Sequence, residues 1–260
     1  MKHKELFEAW RECSVNDAPY VLQGDDFLLK NTQYQRWVSI HHSYNEFVAS
    51  KDFGLASDKR LHLGLLPAPY RGNLNNSSVF LLLLNPGVKP CDYFAEYNEK
   101  DYRDAVIRNL RQDNEEDEYP FFSLNPAFAW HPSGLYWRRK FASIIQKIEA
   151  NGLTYHQALR HVAQNISCLQ YVPYHSERFG LPSKVHKQLT SPKLIIDYVK
   201  NTLAPRARRG EAMIVVMRQV QNWNLQEHEN IILYKDHETR AAHLTSDSKE
   251  RIVNHLMRLL

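Results

Sequence analysis

The stretch Ser78-Val79-Phe80-Leu81-Leu82-Leu83-Leu84, closed by Asn85-Pro86-Gly87, decides the fold. A short, almost uninterrupted apolar run ended by turn formers reads as a strand buried on both faces, and such strands belong to parallel sheets whose crossovers lay helices over each side. Three shorter candidates follow at 166–172, 213–217 and 231–234. Helical patterning separates the first three. It spans 135–149 and 193–203, the latter opened by Ser191-Pro192, a cap followed by a first-turn proline. A last helix over 248–260 carries Ile252, Val253, Leu256, Leu259 and Leu260 as an apolar stripe. Strands alternating with helices predict an α/β fold, a three-layer α/β/α sandwich around a short, mainly parallel sheet.

The chain of 260 residues, 43% hydrophobic and 24% charged, suits one domain over 1–260. Mixed helical patterning at 6–11 and 34–48 makes residues 1–65 a helical N-terminal extension. No repeat or Gly/Ser linker marks a domain break, and a monomer is expected. The N-terminus lacks the apolar run of a signal peptide or membrane span, which predicts a cytoplasmic protein without membrane contact. Cys13, Cys91 and Cys168 are widely spaced, His156 and His161 are five apart, and His41 adjoins His42, so neither a disulfide framework nor a metal-binding pair is read. No metal and no cofactor are expected. The absence of GxSxG, Walker and GxGxxG patterns removes the common hydrolase and nucleotide-binding classes.

Formal net charge is only +4. Its distribution says more. Arg138-Arg139-Lys140 and Arg206, Arg208 and Arg209 are short basic clusters, and Glu115 to Glu118 is an acidic run. Each reads as solvated surface or, for the basic clusters, as contacts to a phosphate backbone. In parallel α/β sheets, sites lie at the carboxyl ends of strands, which directs attention to the loops after Leu84 and after Tyr234. Asn85-Pro86-Gly87 has its own plain reading there, a strand-ending turn with glycine supplying positive φ. His131, before Pro132-Ser133-Gly134, reads as a turn cap, and Tyr136 and Trp137 as core or rim.

Four segments in chain order resemble the uracil-DNA glycosylase superfamily, over roughly residues 79–250. Leu82 to Gly87 is similar to the GINPG motif of the mismatch-specific branch. Phe128 to Phe141 is similar to its HPxNRFW stretch, Asn165 to Tyr174 falls where the superfamily has a base-reading strand, and His243 to Ser248 stands where HPSPLS is common. The resemblance implies a glycosylase fold and a monofunctional enzyme that flips a modified pyrimidine out of double-stranded DNA and hydrolyses its N-glycosidic bond. In that scheme Asn85 orients the attacking water and Gly87 contributes to binding the substrate. His243 donates to the leaving base, with Ser246 beside it. Gln170 and Tyr171 read the base edge, Tyr93 or Phe94 stacks on it, and Arg138, Arg139 and Ser248 meet the DNA backbone. Such a site must stabilise a leaving anion, since an amide is no strong base. Lys89, just after the first motif, is the lysine read as the Schiff-base candidate.

Two departures narrow the reading. His243 is followed by Leu244-Thr245-Ser246, which leaves room for a simple helix cap involving Asp247 and Glu250. Gln170 stands where many members have asparagine, and the longer amide argues against plain uracil specificity. The irregular second motif and the extra N-terminal region resemble divergent bacterial members, some of which remove bulky modified cytosines such as glucosylated hydroxymethylcytosine from phage DNA, which implies anti-phage defence. The alternatives are a repair glycosylase for uracil or mismatched bases, a non-catalytic DNA-binding relative, and a hydrolase of free nucleosides.

Overall fold

A computed structural model describes residues 3–239 and 243–260. The fold is α/β. Its strands among those residues are β1 (Val38–Ser39), β2 (Leu61–His62), β3 (Tyr70–Arg71), β4 (Val79–Leu83), β5 (Ile166–Gln170), β6 (Met213–Val216) and β7 (Ile231–Leu233). The principal helices are α1 (His3–Glu12), α2 (Tyr44–Ala49), α3 (Pro90–Asn98), α4 (Lys100–Arg111), α5 (Pro132–Glu149), α6 (Tyr155–Asn165), α7 (Thr190–Tyr198) and α8 (Ser246–Met257). The chain divides into two compact units. The first comprises Met1–Pro69, Leu84–Arg111 and Gln170–Tyr198, and the second Tyr70–Leu83, Gln112–Leu169 and Val199–Leu260.

The second unit is built on a five-stranded, mostly parallel sheet in the order β3-β5-β4-β6-β7. β6 pairs in parallel with β4 and β7, while β3 runs antiparallel to β5 at the edge. The chain steps from β4 to β5 on one side and then to β6 on the other, and this reversal directs attention to the strands' carboxyl ends. Alternation explains the burial. Val79, Leu81 and Leu83 face Phe141, Ile144 and Ile148 of α5, Val162 of α6 and Ile252 of α8 in one apolar core. Phe80 points the opposite way, beneath the guanidinium of Arg206 at 5.3 Å, and the helical turn Ala204–Arg208 packs against β6 and β7.

The four strands read from apolar runs are present, β4 trimmed by one residue at each end and the other three only at their carboxyl ends. The helix expected over 34–48 is not continuous. Gln35 ends a short turn, Val38–Ser39 pairs in parallel with Leu61–His62, and α2 begins afresh behind Ser43, whose Oγ accepts from Glu46 N. The helix expected over 193–203 begins earlier, at Thr190. Its cap is Asp25, whose buried carboxylate accepts from Thr190 N, Ser191 N and Ser191 Oγ. Burial pushes the Asp25 carboxyl above its ordinary value, against the lowering effect of those hydrogen bonds.

The first unit has a smaller core of Phe47, Leu65, Val88 and Tyr93. Among the described residues, no helix is long and apolar enough to cross a membrane.

Candidate functional site

β4 ends at Leu83, and Leu84 to Gly87 is laced to the segment that follows β5. Val172 N donates to Leu84 O at 2.8 Å, Ser176 N to Pro86 O at 3.1 Å, and His175 Nδ1 lies 2.8 Å from Gly87 O. Within this ladder Asn85 is half-buried. Its Nδ2 donates to Pro86 O at 2.9 Å, Ser176 Oγ at 2.8 Å and, more weakly, Tyr174 O at 3.4 Å. Two of these acceptors are backbone carbonyls, which cannot donate, so the amide is held with its nitrogen toward them. Oδ1 receives no hydrogen bond from the described residues, and it remains a fixed acceptor.

Gly87 does not take the positive φ that a turn-forming glycine would supply, and a Cβ there would meet no atom within 4 Å. The turn reading is corrected on this point: the loop is shaped by its ladder, and Gly87 leaves open space in front of it.

Gln170 closes β5, its backbone N donating to Pro69 O at 2.8 Å. Its side chain is 7% exposed, and Oε1 is buried without a donor. A buried amide left unsatisfied costs about 1–3 kcal/mol, which is why such groups gather where a ligand supplies the missing partner. Tyr171 is also buried, its ring edge-on to His186 at 5.5 Å, and burial pushes its phenol upward.

Of the two stacking candidates, Tyr93 is corrected to a core residue. It is 0% exposed, its ring lies parallel to Phe47 at 4.2 Å and to Tyr97 at 6.2 Å, and its Oη is 3.1 Å from His62 Nδ1. No base can lie on it. Phe94, one residue on and so turned about 100° around α3, is half-buried and edge-on to Tyr44 at 5.4 Å. Lys89 is exposed and holds Glu177 at 3.1 Å.

In the second unit His131 caps α5, its Nδ1 accepting from Ser133 N at 3.2 Å. Arg139 is exposed. Arg138 is half-buried and reaches Ala129 O only weakly, at 3.4 Å. Arg206 is spent on structure, donating to Ser77 O at 2.9 Å, and Arg209 pairs with Glu211 at 2.6 Å. Around the second motif, His243 and Ser246 are exposed. Thr245 is the cap of α8, its Oγ1 accepting from Ser248 N at 3.1 Å. Ser248 is corrected from a DNA contact to an internal one. It is fully buried, with its Oγ 2.8 Å from Thr245 Oγ1 and 3.0 Å from Tyr234 Oη, beyond reach of a phosphate.

Sequence reasoning missed Ser176 and the backbone carbonyl of Tyr174, the partners that orient Asn85. It also missed a buried polar network in which Asp52 accepts from Ser39 Oγ, His41 Nε2 and Arg60 Nη2 at 2.8, 2.9 and 2.8 Å. Burial would raise the Asp52 carboxyl, but those hydrogen bonds outweigh it and hold the group down at about 2. Among the described residues, no group of three His, Cys, Asp or Glu side chains is placed to hold a metal ion. Compared with protein-family models, curated proteins and solved structures, the chain matches none.

Proposed function

We propose that the protein is a monofunctional DNA glycosylase of the uracil-DNA glycosylase type, acting on a modified pyrimidine in double-stranded DNA. On this reading the helix-flanked, mostly parallel sheet is the α/β/α sandwich of that fold. The observation that carries the reading is the state of Asn85, whose nitrogen is committed to Pro86 O and Ser176 Oγ while Oδ1 stays available. A fixed carbonyl acceptor at the carboxyl end of a parallel strand suits the positioning of a water molecule by one of its protons. The water attacks the anomeric carbon as the base departs with the bonding electron pair, and the proton it sheds passes to solvent.

The rest of the scheme is assigned by chemistry. Gln170 would satisfy its amide on the base edge, which removes the cost of burying it unpaired. The amide offers an acceptor at its oxygen and a donor at its nitrogen, the two functions a base edge needs. Phe94 takes the stacking role. His243, exposed ahead of α8, would donate to a carbonyl oxygen of the departing base, and Arg138 and Arg139 would meet phosphates. The pairing of Lys89 with Glu177 favours a water nucleophile over a Schiff base. The substrate class proposed is a bulky modified cytosine such as the glucosylated hydroxymethylcytosine of phage DNA, and the role is anti-phage defence.

The test incubates wild-type protein and Asn85→Ala with duplexes carrying uracil, hydroxymethylcytosine or its glucosylated form, and scores alkali-labile abasic sites. The wild type is expected to open one of them and Asn85→Ala to be slower by about a hundredfold, with DNA binding retained. No cleavage on any duplex would refute the enzyme and leave a DNA-binding relative of the fold.

A further inference from the structure

His175 lies one residue beyond Asn165–Tyr174, the third segment that carries the family resemblance, and it is 5% exposed. Both nitrogens of its ring face backbone carbonyls. Nδ1 is 2.8 Å from Gly87 O, and Nε2 is 3.2 Å from Leu66 O. A carbonyl oxygen accepts and cannot donate, whereas a neutral imidazole has a single N–H to give. In either neutral tautomer one bare nitrogen is set against a carbonyl lone pair. In the imidazolium both contacts are hydrogen bonds, so the geometry matches the charged ring.

What the ring holds matters to the candidate site. Tyr174 O and Ser176 Oγ, on either side of His175, accept from the Asn85 amide at 3.4 and 2.8 Å. Gly87 is two residues past Asn85 and, having no side chain, can be held only through its backbone. The His175 ring therefore ties the far end of the Leu84 to Gly87 loop to the segment that orients Asn85. The backbone of His175 is itself fixed, its carbonyl accepting from His62 N at 2.8 Å, so the ring can change charge without the main chain letting go.

The neighbouring groups leave the charge to this ring. His62 is lowered to about 4 by burial, with the His175 ring among the charges that oppose its protonation, and at neutral pH it does not compete. Tyr93, its phenol raised by burial, stays neutral beside His62. Acidic side chains stand close by: Asp58 Oδ2 is 3.3 Å from His62 Nε2, and Glu96 accepts from Leu66 N at 2.8 Å. The nearby cations are committed elsewhere, Arg60 to Asp52 and Asp58 at 2.8 and 2.7 Å and Lys89 to Glu177 at 3.1 Å.

We propose that His175 is a positioning residue that works as an imidazolium: holding both protons it fixes Gly87 and the loop that bears Asn85, and giving one up to solvent releases them. The inference rests on the glycosylase reading and adds to it an alkaline limit set by a residue that acts through the loop.

The test uses the full chain with isotope-labelled histidine. By NMR, both ring nitrogens of His175, assigned by correlation to its backbone, are expected to be protonated at about pH 6.5, and one to become bare as the pH approaches about 9. Single-turnover excision is measured over the same range on whichever of the three duplexes the wild type opens. Its rate should fall by about tenfold across that titration, the scale of one charged hydrogen bond. His175→Gln, which cannot titrate, should start about tenfold lower and stay level. A ring with one bare nitrogen at the lower pH, a wild-type rate that does not fall, or a fall that His175→Gln keeps overturns the proposal. If His175→Gln does not fold, the ring signals and the wild-type rate must share one midpoint, and separate midpoints overturn it. A doubly protonated ring that titrates in a protein excising no base would uphold the charged clamp and remove the glycosylase reading, so the two failures are separable.

Discussion

Asn85 and Gln170 are both amides at strand ends, and the structure treats them oppositely. One has its nitrogen tied down by Pro86 O and Ser176 Oγ; the other is buried with Oε1 unmet. The second condition makes a prediction that separates function from folding. Gln170→Leu keeps the volume and removes the unsatisfied group, so stability should stay level or rise by about 1 kcal/mol, while excision should fall by about tenfold or more. Urea unfolding and the abasic-site assay read the two arms. A variant that loses stability and activity together would mean that the amide is satisfied internally. Both residues were legible because each ends an apolar run. Their surroundings were not: Ser176 stands 91 positions from Asn85, and no spacing rule links them. Tyr93 and Phe94 are adjacent, so only the rotation of α3 about its axis decides which one enters the core.

At the scale of elements, legibility followed the source of the stabilising contacts. β4 announces itself because all its side chains are apolar and all are buried. β1 and β3, two residues each, are too short to show a period, and they exist because a neighbouring strand offers hydrogen bonds. Caps divide the same way. Thr245 caps α8 from the adjacent position, a local signal, whereas Asp25 caps α7 from 165 residues away. The two should differ in cost. Thr245→Ala should destabilise by about 1 kcal/mol, the worth of one cap. Asp25→Ala strips partners from Thr190 N, Ser191 N, Ser191 Oγ and Tyr174 Oη, and should destabilise by about 3 kcal/mol. Denaturant midpoints at neutral pH test the ranking, and equal losses would show that α7 does not depend on its distant cap.

For the molecule as a whole, net charge and pH response follow from how many ionised groups are spent internally. The net charge of +4 is small, and Arg206 and Arg209 are already committed, so DNA affinity should depend on few phosphate contacts. Neutralising Arg138 and Arg139 together should lower the slope of log affinity against log salt by about 2; an unchanged slope would take them off the backbone. Acid stability is governed more by His62. Its ring is buried, and desolvation, partly offset by Asp58, lowers it from 6.5 to about 4. Between those values the unfolded chain binds a proton that the folded one excludes, so stability is complete above about 6.5 and is lost as pH falls toward 4. The loss is on the order of 3 kcal/mol at its fullest. Asp52, lowered from 3.8 to about 2, adds a further loss only below about pH 4, whereas the raised Asp25 acts with the opposite sign above 3.8. His186 and His255, also lowered from 6.5 by burial, share this window with His62. Replacing His62 by glutamine, which cannot titrate, should make the fall in unfolding free energy between pH 7 and 4.5 shallower even if the variant starts from a lower value. Parallel curves for wild type and His62→Gln would assign the acid sensitivity to other groups.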